Sequence, residues 1–166
     1  MTIEEFRREI RSLKEKGIYP SNKSYMLPSL WIAEKNFPAI TKEIMRVISE
    51  ELSVPLVEVE EAATFYAMYH TKPKGKYVIR VCTNLSCMLN GGEEILKEIC
   101  NLLKVKPGET TPDGLFTVEE YECMGLCDGA PAVTVNEDRY LKVKPSDLPE
   151  ILKKYGWKGE NGKTSP

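Results

Sequence analysis

The sequence predicts an α/β protein in two parts, an N-terminal helical bundle followed by a small sheet with flanking helices. Three observations predict it. Apolar residues recur every three or four positions between Ile3 and Tyr66, the period of amphipathic helices. The segment Lys72-Pro73-Lys74-Gly75-Lys76 then interrupts the pattern as an exposed hinge. Beyond it, β-branched runs alternate with helical periodicity in the order β-α-β-β-α. The expected boundaries are 1–72 for the helical domain, 73–157 for the sheet domain and 158–166 for a polar, disordered tail.

In the first part, Ile3, Phe6, Ile10 and Leu13 make one apolar stripe, and Gly17 to Asn22 ends that helix. A second helix is expected from Pro28, suited to a first helical position, to Asn36, where Phe37-Pro38 breaks it. Thr41 caps a third, with Ile44, Val47, Ile48 and Leu52 facing inward. Ser53 and Pro55 announce a fourth, carrying Leu56, Val59, Ala63 and Tyr66 along one side. In the second part, Tyr77 to Val81 reads as a strand running into Cys82, and Glu93 to Leu103 as a helix. Leu115 to Glu122 is a strand leading into Cys123. Ala132–Val135 and Tyr140–Val143 form a hairpin about Asn136–Arg139, and a last helix capped by Ser146 runs to Tyr155.

Composition excludes several classes. With 23 Lys+Arg against 25 Asp+Glu the formal net charge is −2, without the basic excess of a nucleic-acid binder. No apolar run approaches the roughly 18–20 residues that span a bilayer, so no direct membrane insertion is expected. The charged N-terminus lacks the apolar segment of a signal peptide, and the expected location is cytoplasmic. There is no nucleotide-cradling glycine motif, and the single histidine, His70, leaves no triad and no Rieske-type site. His70 is expected in the last turn of the fourth helix, complementing its dipole. Trp31, Phe65, Tyr66, Met68 and Tyr69 fall at helical spacing and read as core or as a partner surface.

The chemistry lies in the cysteines. An odd count of 5 in a chain expected to be cytoplasmic argues against a disulfide framework. Cys82 and Cys87 form a C-x4-C loop directly after one strand, and Cys123 and Cys127 a C-x3-C loop directly after another. Two such loops converging at one sheet edge can hold a [2Fe–2S] cluster, two thiolates to each iron. Zinc remains open on spacing, although its sites more often use C-x2-C knuckles. A dithiol–disulfide enzyme would need C-x-x-C, which is absent. Gly91, Gly92, Gly125 and Gly129 beside the cysteines permit close approach of backbone N–H groups to a negatively charged centre. Cys100 falls on the stripe Leu96, Ile99, Cys100, Leu103 and reads as core.

With these loops in place, the chain resembles the thioredoxin-like [2Fe–2S] subunits of NADH:quinone oxidoreductase, a family that includes the corresponding subunits of NAD-linked hydrogenases and formate dehydrogenases. The resemblance runs from about Leu27 to Tyr155 and rests on Leu27-Pro28-Ser29-Leu30, Ala63-Thr64-Phe65-Tyr66, Gly75-Lys76-Tyr77, Val81-Cys82-Thr83-Asn84 and Tyr121 through Pro131 to Val135-Asn136. It implies a thioredoxin-like ferredoxin domain after the helices and one [2Fe–2S] cluster held by Cys82, Cys87, Cys123 and Cys127. It also implies one-electron transfer beside a larger flavoprotein subunit carrying FMN and the NAD(H) site, with further iron–sulfur subunits as partners. Met124, Leu126 and the additional Cys100 depart from the family pattern without touching the four cysteines. The alternative reading is the equivalent subunit of an electron-bifurcating or NAD-linked hydrogenase or formate dehydrogenase, and a more remote one is a zinc-stapled interaction module.

Overall fold

The computed structural model describes residues 1–159; most of the expected disordered tail, 160–166, lies outside the described residues. The chain divides into two compact units, Met1–Pro73 and a second beginning at Lys74.

The first unit contains four helices, α1 (Ile3–Glu15), α2 (Met26–Asn36), α3 (Lys42–Leu52) and α4 (Leu56–Phe65). Thr2 caps α1 through a reciprocal box with Glu5, and the Thr41 hydroxyl accepts the Ile44 N–H at 3.4 Å to open α3. Phe6, Ile10, Leu30, Ile40, Ile48, Leu52 and Val59 are fully buried in one core, each such side chain contributing roughly 1.5–3 kcal/mol. Carboxylates on α3 tie it to α1. Glu51 accepts from Arg7 at 2.9 Å and from Arg11 at 2.7 Å, and Lys14 Nζ donates to the Glu51 carbonyl at 2.7 Å. That lysine supplies the cation that the last turn of α3 lacks.

Two expectations shift here. α2 begins at Met26, after a 3-10 turn over Asn22–Tyr25, so Pro28 sits at its third position rather than its first. The site still tolerates proline, because N–H groups in the first turn have no intrahelical acceptor. α4 ends at Phe65, so neither Tyr66 nor His70 is helical. His70 is drawn instead to Glu34 on α2: its Nδ1 lies 2.8 Å from Oε1, and its backbone N–H donates to Oε2 at 2.9 Å.

The second unit is a four-stranded sheet of order β2-β1-β3-β4, formed by β1 (Tyr77–Cys82), β2 (Phe116–Tyr121), β3 (Val133–Val135) and β4 (Asp138–Tyr140). β1 pairs in parallel with β2 and antiparallel with β3. A short helix α5 (Leu85–Leu89) and a longer α6 (Gly92–Leu103) make the crossover that parallel pairing requires, and α7 (Leu148–Lys154) follows the hairpin. Ile79 and Val81 share one core with Ile95, Ile99, Phe116, Val118, Leu148 and Leu152. By the alternation of strand side chains, Cys82 leaves the opposite face from Val81, and it belongs to a separate small cluster with Cys87 and Ala132.

The hairpin is tighter than the sequence predicts. Asn136 adopts φ +52°, its Oδ1 accepts the Val78 N–H at 2.8 Å, and β4 starts at Asp138. The expected partner strand over Tyr140–Val143 is therefore mostly loop, with Lys142 and Val143 donating to the carbonyls of Gly129 and Pro131. Ser146 lies inside a 3-10 turn, Pro145–Asp147, rather than capping α7. At the expected hinge, Gly75 is buried: a Cβ there would stand 2.8 Å from the Phe116 carbonyl carbon, so the glycine serves close approach rather than mobility.

Candidate metal centre

Parallel pairing decides where the cysteines meet. Cys82 closes β1 opposite Tyr121, the last residue of β2, and the Thr83 N–H donates to the Tyr121 carbonyl at 3.2 Å. Both cysteine-bearing loops consequently leave the sheet at the same end and side by side. In the first loop, Asn84 caps α5 and turns Cys87 inward, where it is buried with Cys82. In the second loop, Cys123 and Cys127 are exposed with their sulfurs 3.4 Å apart.

The two pairs are neighbours. Burial pushes the Cys87 thiol up, opposed by the Ala132 N–H, with Cys82 and Cys127 adding to the rise. Cys127 is raised chiefly by Cys123, and Ser86 of the first loop opposes that rise. The Gly125 N–H donates to Cys123 Sγ at 3.4 Å and holds that thiol below its ordinary range, the Cys127 thiol adding to this. Among the described residues, no three His, Cys, Asp or Glu side chains gather tightly enough to hold one metal ion. The donor set is thus two pairs of thiols from adjacent loops. That matches the demand of a binuclear [2Fe–2S] cluster, two sulfurs per iron, and the soft thiolate set suits iron.

Glycine makes the approach possible at two places. A Cβ on Gly92, the first residue of α6, would lie 2.6 Å from the Cys82 carbonyl oxygen and 2.9 Å from that of Cys87. Gly125, at φ +72°, turns its N–H onto Cys123. Gly129 serves a different purpose, since its missing Cβ leaves room for the Leu141 side chain. Cys100 is partly buried against the sheet core and stands apart from the four. Sequence reasoning missed α5; Asn84 before Leu-Ser-Cys-Met-Leu is the capping signal that marks the helix. The aromatic set divides. Tyr69 is buried and donates to the Leu27 carbonyl at 2.9 Å, whereas Phe65 is 80% exposed beside a groove of about 660 Å³ on the first unit.

Two thiol pairs from adjacent loops at one end of the parallel strands fit an iron–sulfur protein on a thioredoxin-like frame. The chain matches the thioredoxin-like [2Fe–2S] ferredoxin family over residues 13–156, and it belongs to that family. It is 36% identical over 137 residues to a subunit of the NADH-quinone oxidoreductase of Rhizobium meliloti (strain 1021), covering 82% of each chain. It is 35% identical to the corresponding NADH-quinone oxidoreductase subunit of Aquifex aeolicus (strain VF5), covering 91% of this chain and 96% of the relative. In fold it is similar to a chain of an NAD+-reducing [NiFe]-hydrogenase, with a TM-score of 0.69 at 22% identity over 79% of this chain; it spans 22% of that longer chain.

Proposed function

We propose that this chain is the electron-transfer subunit of an NADH-quinone oxidoreductase, holding one [2Fe–2S] cluster through Cys82, Cys87, Cys123 and Cys127. The observation that carries it is the pairing of two thiol pairs at one end of the parallel strands. When bound, the cluster supplies a one-electron couple. Cys82 and Cys87 provide the buried side of the site, and Cys123 and Cys127 the side open to a partner. The Gly125 N–H directs the positive end of its dipole at the Cys123 sulfur, offsetting thiolate charge. The chain acts within a multisubunit oxidoreductase, as its relatives' names state of them. Its immediate partner in this reading is a larger subunit carrying FMN and the NAD(H) site. Among the described residues no helix is long and apolar enough to cross a membrane.

The test is anaerobic purification with visible absorption, EPR before and after dithionite, and metal counting. A brown protein with about two irons, EPR-silent until reduced to a spin-½ signal, is expected. A colourless protein with stoichiometric zinc that cannot be reconstituted with iron and sulfide would overturn it.

A further inference from the structure

α5 buries Cys87 and turns three apolar side chains the other way. Leu85, Met88 and Leu89 fall at i, i+3 and i+4, one face of a helix, and are 64%, 42% and 73% exposed. Exposed apolar residues contiguous on one face mark an interaction surface more often than chance.

The surroundings are of one sign. From Val81 to Leu96 and from Leu115 to Asp138 the chain has no Lys or Arg, in a protein whose net charge is only −2. Glu93, Glu94, Glu120, Glu122 and Asp128 in these stretches are exposed, and among the described residues none of them is ion-paired. Hydrogen bonds place two of them beside α5: Thr83 donates to Glu120 at 2.9 Å, and Asn84, the cap of α5, donates to Glu122 at 2.9 Å. Cations bound these stretches: Arg80, bonded to Glu119, and the exposed Lys97 of α6 end the first, and Arg139 follows the second. Four thiolates and a [2Fe–2S] core would add a formal charge of about −2. The Asn84–Glu122 bond makes this face continuous with the exposed thiol pair, because Glu122 directly precedes Cys123.

We infer that the outer face of α5 and its border of carboxylates form the surface on which the redox partner docks, and that the partner presents an apolar patch edged with Lys and Arg. The inference rests on the electron-transfer reading above. A second copy of this chain is disfavoured as occupant, because the same face on both copies would set like charges against each other.

The test uses the holoprotein with mitochondrial cytochrome c, a basic one-electron acceptor, and with ferricyanide as an anionic control. Calorimetric titration reads binding, and stopped-flow absorbance reads electron transfer. Cytochrome c binding is expected to weaken about tenfold on raising salt from low to physiological, and about tenfold in each of the double variants Glu93→Gln/Glu94→Gln and Leu85→Ser/Leu89→Ser. Oxidation by ferricyanide should stay within about twofold in both variants, showing an intact cluster. A brown protein whose binding ignores salt and both variants overturns the surface. A colourless protein that still binds cytochrome c, with both sensitivities, upholds the surface and overturns the electron-transfer reading instead.

Discussion

Replacing Gly92 by alanine should both destabilise the second unit and empty the metal centre. The added Cβ would stand 2.6 Å from the Cys82 carbonyl oxygen, 2.9 Å from the Cys87 carbonyl oxygen and 3.0 Å from the Cys87 carbonyl carbon. Every one of these atoms is backbone, so no side chain can swing away. Reaching ordinary contact requires a shift of roughly 0.8 Å, shared between α6 and the residues carrying the buried thiols. Overpacking of this kind costs about 1–3 kcal/mol. Alanine's better helix propensity returns less than about 1 kcal/mol at a first helical position, leaving a net loss of about 1–2 kcal/mol and about 5–15 °C in Tm for a unit of this size. Gly91→Ala is the control. Gly91 has φ +89°, which strains any other residue by about 1–2 kcal/mol, but its nearest neighbour would be Glu94 Oε2 at 3.7 Å. Both variants should therefore unfold at lower urea by circular dichroism, while only Gly92→Ala loses bound iron. Wild-type stability and iron content in Gly92→Ala would refute the claim that α6 is seated against the cysteine loop.

Cys82→Ala and Cys127→Ala should abolish the visible absorption, whereas Cys100→Ala should keep it at a cost of about 1 kcal/mol by denaturation; a normal cluster in Cys127→Ala overturns the ligand assignment. Glu51, held down to about 2 by hydrogen bonds from Arg11 and Arg7, contributes stability that is present above the ordinary carboxylate range and lost as pH falls toward 2. Glu51→Gln should therefore cost about 1–2 kcal/mol at pH 6, a figure discounted because Arg11 is exposed. The gap to wild type should close between pH 4.5 and 2 in urea titrations of the first unit. His70→Ala removes one side-chain partner of a carboxylate that is 8% exposed and that keeps the backbone N–H of residue 70, so a loss of about 1.5–3 kcal/mol is expected in the same titrations; a change below about 0.5 kcal/mol would show that the contact does not anchor α2.

What the sequence makes legible is whatever local periodicity and capping decide. α1, α3 and α6 have one apolar stripe each, and the span of α3 follows from Thr41 and from where its stripe stops. The errors arise where a distant residue decides the local structure. His70 reads as a helix-terminal cation, but α4 stops at Phe65 and a carboxylate 36 positions away takes the ring. Tyr140–Val143 reads as a strand by composition, yet Asn136 clips onto Val78 and shortens the turn, so that Lys142 and Val143 bond to the loop after Cys127.

The site divides in the same way. The spacing of Cys82, Cys87, Cys123 and Cys127 announces two metal-binding loops, but not that they meet. Their meeting depends on strand direction. β1 and β2 each have six residues, about 20 Å of chain, so an antiparallel pairing would carry Cys123 to the far end of the sheet from Cys82. Parallel pairing requires a crossover, and the crossover is α6. Its first residue must pass the carbonyls of both buried cysteines, closer than any side chain allows. Gly92 is therefore where the topology that joins the loops and the packing that shapes the thiol pair become one constraint. A variant there tests the fold and the site together.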